Sequence, residues 1–233
     1  MKNKKILIGV IIAIIVVVAI ALVGGFIYIQ KNKINQENIL KEEAEKLAKL
    51  DLTKDEIDMD IKTKGKYAIV EKTMKDYMKE TQTVMTELID LFNNSDLDKT
   101  LSSENLSKDA PEFVETKEKL ASLKTKLSEY SEKCDKLLNA KNIENAINDK
   151  GVSKYYKELY VNLMLDDETK ESIEKENTEL KKSIEEVNKA IEGLEKIVNF
   201  LTENKDEWTV TDGKIQFKSI TKYKEYYQIV NEL

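Results

Sequence analysis

The sequence predicts a mainly α-helical protein: an N-terminal transmembrane helix, then an elongated antiparallel helical bundle with a small three-stranded antiparallel sheet. Three observations predict this fold class. Residues 6–29 form an apolar run, long segments repeat apolar residues every three or four positions, and three short segments alternate apolar and polar residues. With only 1 proline and 7 glycines in 233 residues, long helices can run without interruption.

The apolar run at residues 6–29, ILIGVIIAIIVVVAIALVGGFIYI, is long enough to cross a membrane. As a helix it would extend about 36 Å, whereas the hydrocarbon core of a bilayer is about 30 Å thick. A secretory signal peptide is the alternative, because lysines precede the run and Ala19-Ile20-Ala21 fits a cleavage site. The run continues through Ile29, however, and this length favours a retained anchor.

Basic residues predict the orientation of this anchor. Lys2, Lys4 and Lys5 precede it, and basic residues favour the cytoplasmic side. We therefore expect a single-pass cell-membrane protein with a cytoplasmic N-terminus and an extracytoplasmic C-terminal domain. Its predicted regions are a cytoplasmic stub at 1–5, a transmembrane helix at 6–29, a helical stalk at 30–52 and a helical-bundle domain at 53–233. The apolar face of the stalk comprises Leu40, Ala44, Leu47 and Ala48.

The sheet is predicted from segments near 56–62, 208–211 and 214–218. In the first, Ile57, Met59 and Ile61 alternate with charged residues, although Thr53 and Glu56 also fit the capping box of a short helix. The other two flank Asp212-Gly213, a pair that suits a two-residue type I′ hairpin turn. Because a lone hairpin is marginally stable in water, we expect segment 56–62 to supply a third strand.

Three long helices are predicted between these segments. The first follows Gly65 and extends to Leu91, the second covers about 112–147, and the third covers about 167–204. Their apolar residues are separated by alternating steps of three and four, as in left-handed helix packing. Residues 93–110 are expected to form a loop or one short helix. Shorter helices are predicted at 153–165 and after Ser219, which can cap the last helix.

The composition restricts the available chemistry. The chain contains no His and no Arg, which excludes imidazole bases, the usual His-containing metal sites and guanidinium clamps for phosphate. The lone Cys134 cannot close an internal disulfide, and a buried core position or an intermolecular disulfide are its alternatives. A net charge of −6 is poorly suited to nucleic acid. We predict no catalytic, cofactor-binding or metal-binding residues.

Aromatic residues are the candidates for recognition. Tyrosine is large, stiff and amphipathic, which suits partner binding and sugar stacking, although bundle packing is the alternative use. Asn177, on the seam of the third helix, could fix the register of self-association or lie near the end of a bundle. The candidate recognition surface consists of Tyr155, Tyr156, Tyr160, Trp208, Tyr223, Tyr226 and Tyr227.

Two segments resemble membrane-anchored and lipoprotein surface proteins of low-GC Gram-positive bacteria. They are Gly65-Lys66-Tyr67-Ala68-Ile69-Val70-Glu71, and Trp208-x-Val-x-Asp212-Gly213-Lys214-Ile215-x-Phe217 with Tyr226-Tyr227 behind it. This chain departs from the lipoprotein members because no Cys comes directly after its apolar segment. The resemblance implies a location and an architecture, and it implies no activity.

Together these features predict a non-enzymatic, single-pass cell-envelope protein whose helical bundle serves protein–protein interaction or assembly. Its expected partners are the membrane and either another protein or a second copy of the chain. Binding of cell-wall glycan through exposed aromatic residues is the alternative. A carboxylate-dependent hydrolase is a third hypothesis, which would require two acids that converge in a cleft and a raised pKa for one of them.

Overall fold

The computed structural model describes residues 35–231, which are mainly helical with one small antiparallel sheet. The helices are α1 (Asn35–Ala48), α2 (Lys66–Asn93), α3 (Ser103–Asp109), α4 (Val114–Leu137), α5 (Ala140–Asn145), α6 (Lys154–Met164), α7 (Asp167–Glu203) and α8 (Ile220–Asn231). The strands are β1 (Trp208–Thr211) and β2 (Lys214–Phe217), and short 3-10 turns occur at Leu97–Lys99 and Lys205–Glu207. The predicted mainly helical class is therefore confirmed.

The predicted membrane anchor at 6–29 and the stub at 1–5 lie outside the described residues. From residue 35 to residue 231, no helix combines the length and the apolar character needed to cross a bilayer. The anchor therefore stays a prediction from the sequence.

The chain divides into two compact units. We call residues 90–129 and 183–231 the hairpin unit, because it contains β1 and β2. Residues 35–89 and 130–182 form the Lys75 unit, named after its most deeply buried lysine. Helices α2, α4 and α7 each contribute residues to both units.

The predicted hairpin is confirmed. Trp208 pairs with Phe217 and Thr211 pairs with Lys214 in an antiparallel register. Asp212 and Gly213 both have positive φ angles, 51° and 69°, as a type I′ turn requires. The turn twists with the strands, so the two-residue connection can join them directly.

The hairpin is stabilised by a core of helical side chains. Trp208 is buried, stacks on Phe113 with ring centroids 6.1 Å apart, and donates its indole N–H to the carbonyl of Leu201 at 2.7 Å. Helix α8 covers the same core. The buried residues of this core are Leu106, Phe113, Ile197, Val198, Leu201 and Trp208, and Tyr226, Ile229 and Val230 of α8 pack against them.

The prediction of a third strand at 56–62 is wrong, because the sheet has two strands and this segment belongs to the Lys75 unit. Its backbone bonds to side chains of α2 instead of to another strand. The carboxylate of Glu71 accepts the backbone N–H of Lys62. The alternation was also misleading: Ile57 is buried, whereas Met59 and Ile61 are 40% and 39% exposed.

The second long helix is shorter than predicted, because α4 ends at Leu137 and α5 begins at Ala140. Between them the backbone of Asn139 is extended, and its side chain accepts the N–H of Asn142. The carbonyls freed by this break are satisfied by neighbouring side chains. Tyr77 donates its hydroxyl to the carbonyl of Leu137 at 3.0 Å, and Asn177 donates its amide to the carbonyl of Leu138 at 3.4 Å.

The remaining helix predictions agree with the structure. Helix α2 begins directly after Gly65, α6 and α7 lie within the predicted ranges, and 93–110 contains one short α-helix, α3. Ser219 caps α8 by accepting the N–H of Lys222 at 3.2 Å. The apolar face expected for the stalk is buried within the Lys75 unit and comprises Leu40, Ala44, Leu47 and Ala48.

We predict that Gly213→Ala destabilises the hairpin unit by more than its backbone strain alone. A non-glycine residue at positive φ costs about 1–3 kcal/mol, and the added Cβ would overlap the Ser103 hydroxyl and lie 2.5 Å from the Ser103 Cβ. Trp208 is the single tryptophan, so its fluorescence during urea unfolding reports this unit.

Ser103→Gly provides the control, since it removes the overlap and leaves the strain. Gly213→Ala should therefore cost less free energy of unfolding in the Ser103→Gly background than in the wild type. Equal costs in the two backgrounds would contradict the close packing of the turn on α3.

Candidate functional site

The seven predicted recognition residues are divided between the two units. Tyr155, Tyr156 and Tyr160 belong to α6 in the Lys75 unit. The other four, Trp208, Tyr223, Tyr226 and Tyr227, belong to β1 and α8 in the hairpin unit. The two groups are therefore described as separate surfaces.

Two of the seven residues are core residues, as the packing alternative anticipated. Trp208 is the centre of the hairpin core. Tyr160 is fully buried, and its hydroxyl has no hydrogen-bond partner among residues 35–231. Burial also raises the pKa of Tyr160 well above its usual value, so its side chain stays neutral. Neither side chain is accessible to a ligand on the surface.

On α6, the exposed Tyr155 ring is held by neighbouring side chains. Its hydroxyl donates a short hydrogen bond to the carboxylate of Glu37 and lies 3.4 Å from the hydroxyl of Tyr67. Its ring meets Tyr156 edge-on at 5.1 Å, and Tyr156 meets Tyr67 edge-on at 5.0 Å. These contacts connect α6 with α1 and α2, and they give this tyrosine group a structural use.

On α8, by contrast, an apolar face points into solvent. Ile220, Tyr223 and Tyr227 are 68%, 46% and 53% exposed, and their spacing of three and four places them on one side of the helix. The rings of Tyr223 and Tyr227 stack with centroids 6.0 Å apart. We call these three residues the α8 face.

A second apolar side of α8 anchors the helix. Tyr226 lies 5.1 Å from Phe217 and 6.3 Å from Phe200, measured between ring centroids. Ile229 and Val230 pack on the same core. An amphipathic helix needs only one apolar stripe to pack on its own domain. The Tyr223 ring also contacts Phe217, with centroids 6.4 Å apart, whereas the exposure of Ile220 and Tyr227 is additional to this packing.

A lysine lies at the edge of the α8 face. Residues 214–231 contain one acidic residue, Glu225, and four lysines, in a chain whose net charge is −6. Lys222 pairs with Glu225 at 2.7 Å and lies over the Phe200 ring, whereas Lys224 is exposed beside the α8 face. An apolar surface with a basic edge fits a partner surface that is apolar and acidic at its edge.

The most deeply buried charges belong to a different site, in the Lys75 unit. The ammonium of Lys75 lies 2.8 Å from a carboxylate oxygen of Glu71 and 2.9 Å from one of Glu43, and it donates to the carbonyl of Asp60 at 2.7 Å. Glu71 also accepts the N–H and the hydroxyl of Thr63 at 2.8 and 2.7 Å. We call Glu43, Glu71 and Lys75 the buried charge cluster.

The pKa values in this cluster favour the charged forms. Desolvation alone would raise the pKa of Glu71, but hydrogen bonds from Lys75, Lys62 and Thr63 outweigh it and lower the pKa below 4.5. The pKa of Glu43 is lowered in the same way, and the pKa of Lys75 is raised because its two acidic partners outweigh its burial. These acids hold their protons weakly, so they are unsuited to act as general acids.

Two further groups bear on catalysis. Burial raises the pKa of Glu176, the kind of shift that a glycosidase acid needs. Burial raises the pKa of Cys134 to about 11, so its thiol stays protonated and is a poor nucleophile. Among residues 35–231, no group of three or more His, Cys, Asp or Glu residues is placed to hold a metal ion.

No protein-family model, curated protein sequence or solved structure matches this chain. The function must therefore be inferred from its own residues. The buried charge cluster was not predicted from the sequence, although Glu71 and Lys75 are four residues apart beside the apolar positions of α2. That spacing was the signal, but exposed ion pairs share it, so burial could not be deduced.

We predict that Lys75→Met destabilises the Lys75 unit by about 3–5 kcal/mol at pH 7, because two buried carboxylates lose their countercharge. Unfolding followed by circular dichroism measures this loss. Lys72→Met is the control on the same helix: the Lys72 side chain is 63% exposed and pairs with Asp76, so little change is expected. Similar losses in both variants would contradict a special role for Lys75.

The pH dependence of the wild-type protein provides an independent check. The pKa values of Glu43 and Glu71 are lowered in the folded protein. Their contribution to the free energy of unfolding is therefore complete above about pH 5, and it is lost as the pH falls through the folded pKa values. The raised pKa of Lys75 means that its contribution persists to about pH 10 and is lost above its folded value. The loss of unfolding free energy caused by Lys75→Met should become smaller at acidic pH, because the two unpaired carboxylates are then protonated.

Proposed function

We propose that the chain is a non-enzymatic, single-pass membrane-anchored cell-envelope protein that binds another protein through the α8 face. The observation that carries this proposal is the exposure of Ile220, Tyr223 and Tyr227 on a helix that already packs through its other apolar side. Exposed apolar groups arranged on one face mark interaction sites, and tyrosine is enriched where binding energy is concentrated.

The membrane part of the proposal is supported by the sequence alone. The 6–29 run has the length of a membrane helix, and three lysines within the first five residues favour a cytoplasmic N-terminus. The resemblance to surface proteins of low-GC Gram-positive bacteria agrees with this location. With this orientation, the α8 face is available to partners outside the cell membrane.

The partner that fits best is a protein with an apolar groove and acidic residues at its edge. The two stacked tyrosines offer a stiff ring surface, and the side chain of Lys224 lies at its border. Apolar burial would supply most of the affinity, whereas the lysines would guide orientation and association. An acidic surface is expected to be attracted to residues 214–231, in contrast to the rest of this acidic chain.

We predict that a photo-cross-linking amino acid at Tyr223 or Tyr227 captures the same protein in intact cells. The same probe at Gln228, which is exposed on another side of α8, should capture much less of it. Lys224→Glu should weaken the capture because it adds repulsion against an acidic edge. Lys189→Glu, an exposed change elsewhere in the hairpin unit, should leave it unchanged.

Equal capture at Gln228 would contradict a specific α8 face. A product that contains only two copies of this chain would assign the face to self-association instead. With the probe at Tyr223, Tyr227→Ala should weaken capture and leave the unfolding of Trp208 nearly unchanged, because the Tyr227 side chain is about half exposed.

We further predict that external protease digests the C-terminal domain once the cell wall is removed. The protein should sediment with membranes, and a variant that lacks residues 6–29 should not. A cytoplasmic marker protein that resists the same protease treatment is the control for intact cells. Protection of the domain would overturn the predicted orientation.

A further inference from the structure

A small cavity in the hairpin unit has the lining of a binding site. Its volume is about 170 Å³, and it lies between the 3-10 turn at Leu97–Lys99, α3 and the first turns of α4. Pockets for drug-sized ligands are about 300–1,000 Å³, so this cavity is suited to a single small ring. It is distinct from the α8 face, because none of its lining residues belongs to α8.

Hydrogen bonds fix one wall of the cavity. The side-chain amide of Asn105 donates to the carbonyl of Thr100 at 2.8 Å and to the hydroxyl of Thr116 at 2.9 Å. The Thr116 hydroxyl in turn donates to the carboxylate of Asp109 at 2.6 Å. Polar groups that are held in place before binding lose little conformational freedom when a ligand arrives.

This wall also retains unused hydrogen-bonding capacity. Within residues 35–231, the amide oxygen of Asn105 and the hydroxyl of Thr100 have no hydrogen-bond partner, although both residues line the cavity. The Ser102 hydroxyl accepts the N–H of Asn105 and can still donate its own proton. The Asn105 oxygen accepts only, so a complementary ligand must carry a donor such as a hydroxyl group.

One lysine at the cavity can meet an anion. The charged residues that line the cavity are three lysines and two acids, Lys99, Lys108, Lys119, Asp96 and Glu104. The first two pair with Asp96 and Glu115 across exposed contacts that are weak in water and open to exchange. Lys119 is exposed and makes no ion pair within the described part of the chain, so its ammonium is available to a ligand.

The base of the cavity is apolar. Leu120 and Leu123 are 3% and 5% exposed and line it together with Leu97. A sugar ring combines an apolar C–H face with hydroxyl groups at its edge, and it matches this combination of leucines, hydroxyls and an amide. Inorganic phosphate or a small carboxylate would use the lysines and leave the apolar base and the Asn105 oxygen without partners.

We propose that this cavity binds one sugar ring that carries a carboxylate or a phosphate. The ring lies on the leucines, its hydroxyls bond to Thr100, Ser102 and Asn105, and its charged group meets Lys119. The proposal is independent of the protein partner at the α8 face, so either can fail without the other.

The test is ligand-observed saturation-transfer NMR on the full chain in detergent micelles. The probes are glucuronate and glucose 6-phosphate, with neutral glucose and inorganic phosphate as controls. We expect at least one charged sugar to bind about tenfold or more tightly than glucose and phosphate, because glucose lacks the charge-assisted hydrogen bond and phosphate lacks the contacts of the ring. If glucuronate binds more tightly, the charged group of the natural ligand is a carboxylate. If glucose 6-phosphate binds more tightly, that group is a phosphate.

Substitutions assign the binding to this cavity. Lys119→Gln should weaken the charged sugar about tenfold and leave glucose unchanged, whereas Thr100→Val should weaken both sugars. Lys126→Gln, an exposed change on α4 outside the cavity, should have no effect. The fluorescence of Trp208 confirms that each variant is folded. Four outcomes would each overturn the proposal. They are equal binding of charged and neutral sugars, phosphate binding as tightly as the sugar phosphate, no binding of any probe, and unchanged binding of the charged sugar after Lys119→Gln.

Discussion

Buried backbone N–H and C=O groups need hydrogen-bond partners, and this requirement shapes the structure wherever a helix ends. In the Lys75 unit, Glu71 accepts the N–H groups of an extended segment, and Asn177 donates to a carbonyl beside the break after α4. In the hairpin unit, Trp208 donates to the carbonyl of Leu201 near the end of α7. Side chains thus make the hydrogen bonds that a neighbouring strand or a further helical turn would otherwise make. Each of these bonds also fixes how a connecting segment lies on the helix beside it.

The sequence was informative where local chemistry decides the conformation. Asp212-Gly213 specified its hairpin because the turn needs positive φ at both residues, and long apolar repeats located α2 and α7. It was misleading at 56–62, where alternation suggested a strand but a distant carboxylate, Glu71, satisfied the backbone. Of the recognition residues, Tyr223 and Tyr227 are exposed as expected, whereas Tyr160 and Trp208 are buried. Spacing alone cannot tell a packed ring from an exposed one.

The α8 face depends on the hairpin core beneath it. Phe217 and Phe200 hold Tyr226, which fixes the rotation of α8 about its own axis and so directs Tyr223 and Tyr227 into solvent. The stacked pair is ordered before a partner arrives, so less side-chain entropy is lost on binding. Exposed rings on a packed helix also cost little in folding, because neither ring leaves a polar group buried without a partner. Stability and recognition are therefore assigned to adjacent sides of one short helix, and Tyr223, whose ring centroid lies 6.4 Å from that of Phe217, stands between them.

The absence of His and Arg affects all three sites in the same way. Lysine is the only basic side chain, and its ammonium is a point charge with three donors on a flexible stem. Buried, as at Lys75, it can satisfy two carboxylates and a carbonyl at once. On the surface it attracts an anion but cannot impose the planar, two-point geometry of a guanidinium. Selectivity at the α8 face and at the cavity beside α3 and α4 must therefore come from aromatic, aliphatic, hydroxyl and amide contacts. Lysine supplies the electrostatic attraction.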